Sequence, residues 1–74
     1  TTPPTDRPLK VGDVLIYTNE NKNLYSDLTL DKEYPIRSNI DGLIIFTDDD
    51  GDNDYTSEDI NAAYYYKNYF TLKP

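Results

Sequence analysis

The chain has 74 residues and is acidic, with 14 Asp plus Glu against 7 Lys plus Arg and a formal net charge of −7. That size makes one small domain, and the absence of Cys and His removes disulfides, thiolate or imidazole zinc sites, and Ser-His or Cys-His catalysis. No apolar run approaches the roughly 20 residues of a membrane-spanning helix, and no basic stretch leads an apolar one as in a signal peptide.

Residues 1–9 hold Pro3, Pro4 and Pro8 among polar residues and read as a flexible arm, because Pro removes donors and favours extended backbone. Residues 10–74 are then the domain. Residues 13–18 are the first expected strand, with Val14 and Ile16 on its inner face. Residues 19–27, with Asn19, Asn21 and Asn23, read as a long polar loop. After a turn over 28–31 comes a second strand over 32–38, with Tyr34 and Ile36 inward. Pro35 suits an edge or the start of that strand.

Asp41-Gly42 and Asp50-Gly51 each suit a type I′ turn, whose two central residues take positive φ. The apolar run 43–47 between them is expected as the central strand of a meander that continues over 52–56. Thr56-Ser57-Glu58-Asp59 then reads as a helix start: Thr56 caps, Asp59 reaches back, and the acids suit the helix N-terminus. The helix is expected over 58–66, with Ile60, Ala63 and Tyr64 on one face. A last strand follows over 69–73 with Phe70 and Leu72 inward. The expected core is Val14, Ile16, Leu28, Tyr34, Ile36, Ile45, Phe46, Ile60, Phe70 and Leu72. A core this small leaves a margin of only a few kcal/mol.

The charge is local. Between Ser38 and Tyr66 stand Asp41, Asp48, Asp49, Asp50, Asp52, Asp54, Glu58 and Asp59, and no base. Such a face repels nucleic-acid phosphate and attracts basic proteins. Direct nucleic-acid binding is therefore not expected, and Arg7, Lys10, Lys22, Lys32 and Arg37 are too sparse to reverse that. The plain function of the acids is solubility.

Little catalytic chemistry is available. An EF-hand loop with Gly51 as its glycine would need carboxylate ligands where Phe46 and Ser57 stand. With so many acids some carboxylate pair is inevitable, so a pair alone does not point to acid–base catalysis. No phosphate-loop, nucleophile-elbow or metalloprotease motif occurs. No enzyme activity, metal or cofactor is expected.

Tyrosine is abundant, with 8 in the chain. Tyr17, Tyr34 and Tyr69 fall in expected strands and read as packing residues. Tyr64, Tyr65 and Tyr66 cannot all face inward on a helix that turns about 100° per residue. Exposed Tyr is favoured at interfaces. Tyr55, Tyr65 and Tyr66, together with Asp48, Asp49, Asp50, Asp52, Asp54, Glu58 and Asp59, form the expected contact patch.

Four stretches carry a resemblance: Lys10-Val-Gly-Asp-Val-Leu, Leu28-Thr-Leu-Asp-Lys-Glu-Tyr-Pro-Ile, Phe46-Thr-Asp-Asp-Asp-Gly, and Tyr69-Phe-Thr-Leu. Together they resemble the small SH3-like proteins encoded by bacteriophages and prophages, in which L-T-x-G-K-x-Y-x-V is frequent. The resemblance spans 10–73 and implies a mainly β fold, a five-stranded SH3-like barrel with one short helix before the last strand. Two departures stand out. Asp31 replaces the usual Gly and needs left-handed φ or another geometry, and the helical segment over 60–68 exceeds the usual single turn.

The resulting expectation is a non-catalytic protein–protein interaction module, phage-encoded, monomeric and cytoplasmic in its host. It binds a host or viral protein with a basic surface, and in its sharper form it is an inhibitor that mimics nucleic acid in a basic groove. The alternative is a structural or accessory domain of a virion or of a larger protein.

Overall fold

A computed structural model describes residues 8–74. The first seven residues of the expected arm lie outside the described residues. The chain forms five strands: β1 (Val14–Tyr17), β2 (Glu33–Ile40), β3 (Leu43–Thr47), β4 (Asn53–Ser57) and β5 (Phe70–Leu72). All pairings are antiparallel, in the order β4-β3-β2-β1-β5, and the sheet curls into a half-barrel.

β2 is the strand that both halves share. Its first part pairs with β1 (Val14↔Pro35) and its second part with β3 (Ile40↔Leu43), with a register shift between Ile36 and Ser38. Pro35 therefore lies in a central strand near its start, where β2 changes partner. It gives up no ladder bond, since the neighbouring Ile36 N–H donates to the Asp13 carbonyl at 2.8 Å.

The inner face of β1 is the reverse of the expectation. Leu15 and Tyr17 are buried, and Val14 and Ile16 are only half-buried. Val-Leu-Ile-Tyr has no polar alternation to fix its phase. Tyr17 fixes it: its ring lies 5.5 Å from Phe70 and its hydroxyl accepts the Asn21 N–H at 2.6 Å. In β3, Ile44 and Phe46 are fully buried, so Ile45 faces outward, against the expected core.

The core also contains residues that sequence pattern assigned elsewhere. Tyr25, in the polar loop, is buried with its ring centroid 5.5 Å from Phe70, 5.6 Å from Tyr69, 6.0 Å from Tyr17 and 6.3 Å from Phe46. Leu9, at the end of the arm, is buried as well. Leu28, Tyr34, Ile36, Phe70 and Leu72 are buried as expected, and Tyr69 packs against the core from its rim.

The turns differ from each other. Asp41 (φ 51) and Gly42 (φ 92) both take positive φ and join β2 to β3 in a two-residue hairpin, as a type I′ turn requires. Gly51 (φ 85) has positive φ but Asp50 does not, so the expected type I′ turn at Asp50-Gly51 is absent. A five-residue loop, 48–52, replaces it: Gly51 N–H donates to the Asp48 carbonyl at 3.1 Å, and Asp48 N–H donates to the Asp52 carbonyl at 2.8 Å. Asp31 takes left-handed φ (65), which Asp tolerates better than most residues.

The expected helix over 58–66 does not form. A 3-10 turn, Tyr66–Asn68, precedes β5 instead. A helix that short is marginal without tertiary support, and here tertiary bonds oppose it. The Tyr64 carbonyl accepts from the Ser57 N–H at 3.0 Å and the Thr56 hydroxyl at 2.6 Å, which stretches the segment along β4. Ile60, expected in the core, is 72% exposed.

Candidate protein-binding face

Some carboxylates of the expected patch tie together segments distant in sequence, and others do not. Asp49 belongs to the first group. One oxygen accepts from Lys32 Nζ at 2.6 Å and from the Tyr34 hydroxyl at 3.0 Å, and the other accepts from the Thr29 hydroxyl at 2.6 Å. The Asp49 N–H donates to the Asp27 carbonyl at 3.0 Å. Asp49 thus clamps the 48–52 loop to the segment leading into β2. The Lys32 bond, with help from Thr29, holds its carboxyl down at about 2, and the same bond raises the Lys32 ammonium.

Glu58 is engaged as well. Its Oε1 accepts the Leu9 N–H, and its Oε2 lies 3.3 Å from the Asn39 amide, whose nitrogen also donates to the Leu9 carbonyl at 2.6 Å. The Glu58 N–H donates to the Gly42 carbonyl at 2.9 Å. These bonds tie the buried Leu9 to the β2–β3 hairpin. Asp49, on the exposed surface, and the half-buried Glu58 therefore both bond within the fold.

Asp48, Asp50 and Asp52 crowd the far end of the β3–β4 hairpin. Asp48 Oδ1 accepts both the Asp50 and Asp52 N–H groups at 3.0 Å, which shapes the loop. Asp27, which sequence reasoning did not single out, faces them. Desolvation, and then the charge of Asp50, raise its carboxyl above the ordinary range. Asp54 lies half-buried opposite Phe46, and desolvation raises it too. Asp59 caps a turn at the other end of the hairpin, where its Oδ1 accepts the Asn61 N–H at 2.9 Å. Among the described residues, no group of three such side chains is placed to hold a metal ion.

Of the three tyrosines in the expected patch, only Tyr55 is exposed, at 49%. Tyr66 is buried at 3%, and Tyr65 packs against the core with its ring 5.5 Å from that of Tyr66. Losing the helix turns Tyr66 inward, so it leaves the contact patch. Tyr64, expected on one helix face with Ile60 and Ala63, sets its ring edge-on to Tyr55 at 5.1 Å.

Strand alternation places Tyr55 on the outward face of the sheet, since its neighbour Thr56 is fully buried against Ile44. Tyr55 pairs with Ile45, Ile45 with Ser38, and Leu43 with Ile40. Ile40, Leu43, Ile45, Tyr55 and Tyr64 therefore form an apolar strip outside β2, β3 and β4, with Ile40 62% exposed. Sequence reading passed over this strip because it placed Ile45 inside. The available signal was the run 43–47, apolar on both faces although a single curled sheet buries only one.

Comparison with known protein families, curated proteins and solved structures finds no match.

Proposed function

We propose that the chain is a non-catalytic interaction module that binds a partner protein with a basic surface. One observation carries this reading. Tyr55 stands half-exposed on the outward sheet face, with Asp48, Asp50 and Asp52 at one end of the β3–β4 hairpin and Asp41 and Asp59 at the other. A large, stiff aromatic with satisfied backbone gives contact area at low entropic cost, and the carboxylates steer a basic partner toward it.

An SH3-like identity fits the same observations. Five antiparallel strands in a curled half-barrel, with a 3-10 turn before the last of them, support that reading. On the sequence resemblance the module is phage-encoded and acts as a monomer in the host cytoplasm. Inhibition by nucleic-acid mimicry is the less favoured form of the reading, because Asp49 and Glu58 are engaged within the fold and an apolar strip lies among the remaining carboxylates.

The test is capture of a basic protein from host lysate on the full chain, followed by titration across ionic strength. Binding should weaken as salt screens the carboxylates. Salt-independent binding, or a partner without a basic surface, rejects the reading.

A further inference from the structure

The outward face of β2–β4 has a geometry that specifies how a partner is engaged. β4 is the last strand of the sheet, and an unpaired edge usually invites an added strand. This edge is occupied in part. The Tyr55 carbonyl accepts from the Tyr25 hydroxyl at 2.9 Å, and the Tyr55 N–H donates to Asp54 Oδ1 at 2.9 Å. The Ser57 N–H is taken by the Tyr64 carbonyl at 3.0 Å, and a parallel bridge joins Ser57 to Tyr65. Strand addition at β4 would have to break these bonds.

The outward face beside that edge is open. Ile40 and Tyr55, at 62% and 49% exposure, are among the most exposed large apolar residues of the described chain, and Leu43, Ile45 and Tyr64 link them. Arg37 borders the strip, its guanidinium held on the Thr47 hydroxyl at 2.9 Å. Carboxylates lie beyond both ends of β3. That strand has 5 residues and spans about 17 Å at about 3.4 Å per residue.

We infer that the outward face of β2–β4 docks a cationic protein surface through side chains: an apolar centre seated on Ile40, Ile45 and Tyr55, with Lys or Arg on both sides of it, spaced to reach Asp41 and Asp59 at one end and Asp48, Asp50 and Asp52 at the other. The inference rests on the proposed binding of a basic partner and adds where and how that partner sits. A purely polyanionic groove-filler needs no apolar centre, and an edge-binding peptide needs no outward Ile40.

The probe is a random peptide library displayed on yeast and selected against the full chain at low salt. Selected peptides are then measured individually against variants. Ile40→Thr and Tyr55→Thr place a strand-favouring β-branched residue at each exposed strand position, and thermal melts check that they remain folded. Thr71→Ala, on β5 at the far side of the sheet, is the control. Enriched peptides should carry an apolar centre flanked on both sides by Lys or Arg. Ile40→Thr and Tyr55→Thr should each weaken them about thirtyfold, the scale of an interface hot spot, and Thr71→Ala should not. Joint Asp48→Asn, Asp50→Asn and Asp52→Asn exchange, which keeps the Asp48 acceptor, should weaken them and flatten the salt dependence. Basic peptides that lose binding on this exchange but bind both threonine variants unchanged overturn the inference while leaving the binding of a basic partner intact. Selection without any basic bias overturns both.

Discussion

The hydroxyl of Tyr25 donates a 2.9 Å hydrogen bond to the carbonyl of Tyr55. A buried ring from the connection between β1 and β2 thereby fixes the strand that displays the exposed tyrosine. Burial pushes the Tyr25 phenol up, well above its ordinary value, so it stays a donor through the physiological range.

Tyr25→Phe isolates that bond. It should cost about 1 kcal/mol, the usual net worth of such a bond, whereas Tyr25→Ala should cost about 3–5 kcal/mol for the emptied aromatic site. Urea titrations measure both as a lower midpoint with unchanged slope. Equal losses in the two variants would show that the bond, not the ring, dominates.

The pH dependence of stability has two opposing parts. Asp49 titrates in the folded chain at about 2, below the roughly 3.9 of an unfolded Asp. Its contribution is therefore complete above that unfolded value and is lost as pH falls toward its folded one. Asp27 and Asp54 are raised in the folded chain, so their ionisation opposes folding at neutral pH. That opposition disappears as pH falls through their folded values toward the unfolded one. Thermal melts should give the highest midpoint near roughly pH 4, with declines on both sides. Asp49→Asn should lower the midpoint at neutral pH and flatten the acid decline. A midpoint that falls steadily from pH 7 to pH 4 contradicts this account.

Glu58 accepts from Leu9 and Asn39, so Glu58→Ala leaves a buried backbone donor without its acceptor. The expected cost is about 1–3 kcal/mol, with faster hydrogen exchange at the Leu9 amide. Glu58→Gln keeps an acceptor oxygen and should restore much of the protection. Unchanged exchange at Leu9 in the alanine variant would refute the tie.

Ile60 and Tyr66 make a reciprocal pair. Ile60→Ser should change stability by less than about 0.5 kcal/mol, as exposed positions do, and Tyr66→Ala should cost about 3–5 kcal/mol. A helix over 58–66 with Ile60 inside would reverse the order, so two denaturation curves decide between the arrangements.

Much of the meander was legible because hairpins are short-range objects. Asp41-Gly42 marked its turn, and Tyr34-Pro-Ile and Phe-Thr-Leu at the closing strand carried their phase in the alternation itself. Where alternation was missing, in Val14–Tyr17 and Leu43–Thr47, the inward phase depended on ring contacts and cross-strand partners distant in sequence. Tyr25 and Leu9 were unreadable for the same reason: each is a lone apolar residue in polar surroundings whose burial is decided by what folds over it. The acids around Tyr55 were legible as a group. Which of them stay free was not, since Asp49 and Glu58 find their partners only in three dimensions. The expected helix had good local signals, and the Tyr64 carbonyl bonds to Thr56 and Ser57 overrode them.

The strand order also separates early events from late ones along the folding reaction. β2, β3 and β4 join their immediate neighbours in sequence, so they can zip from the Asp41-Gly42 turn at little loop-closure cost. β1 meets β5 across most of the chain, as Thr18 and Thr71 do at 53 positions apart, and two of the ring contacts of Tyr25 are with the distant Tyr69 and Phe70. The face bearing Ile40 and Tyr55 belongs to the early half. That face is therefore built from contacts close in sequence, whereas the core is closed by contacts between distant residues, the kind that slow folding.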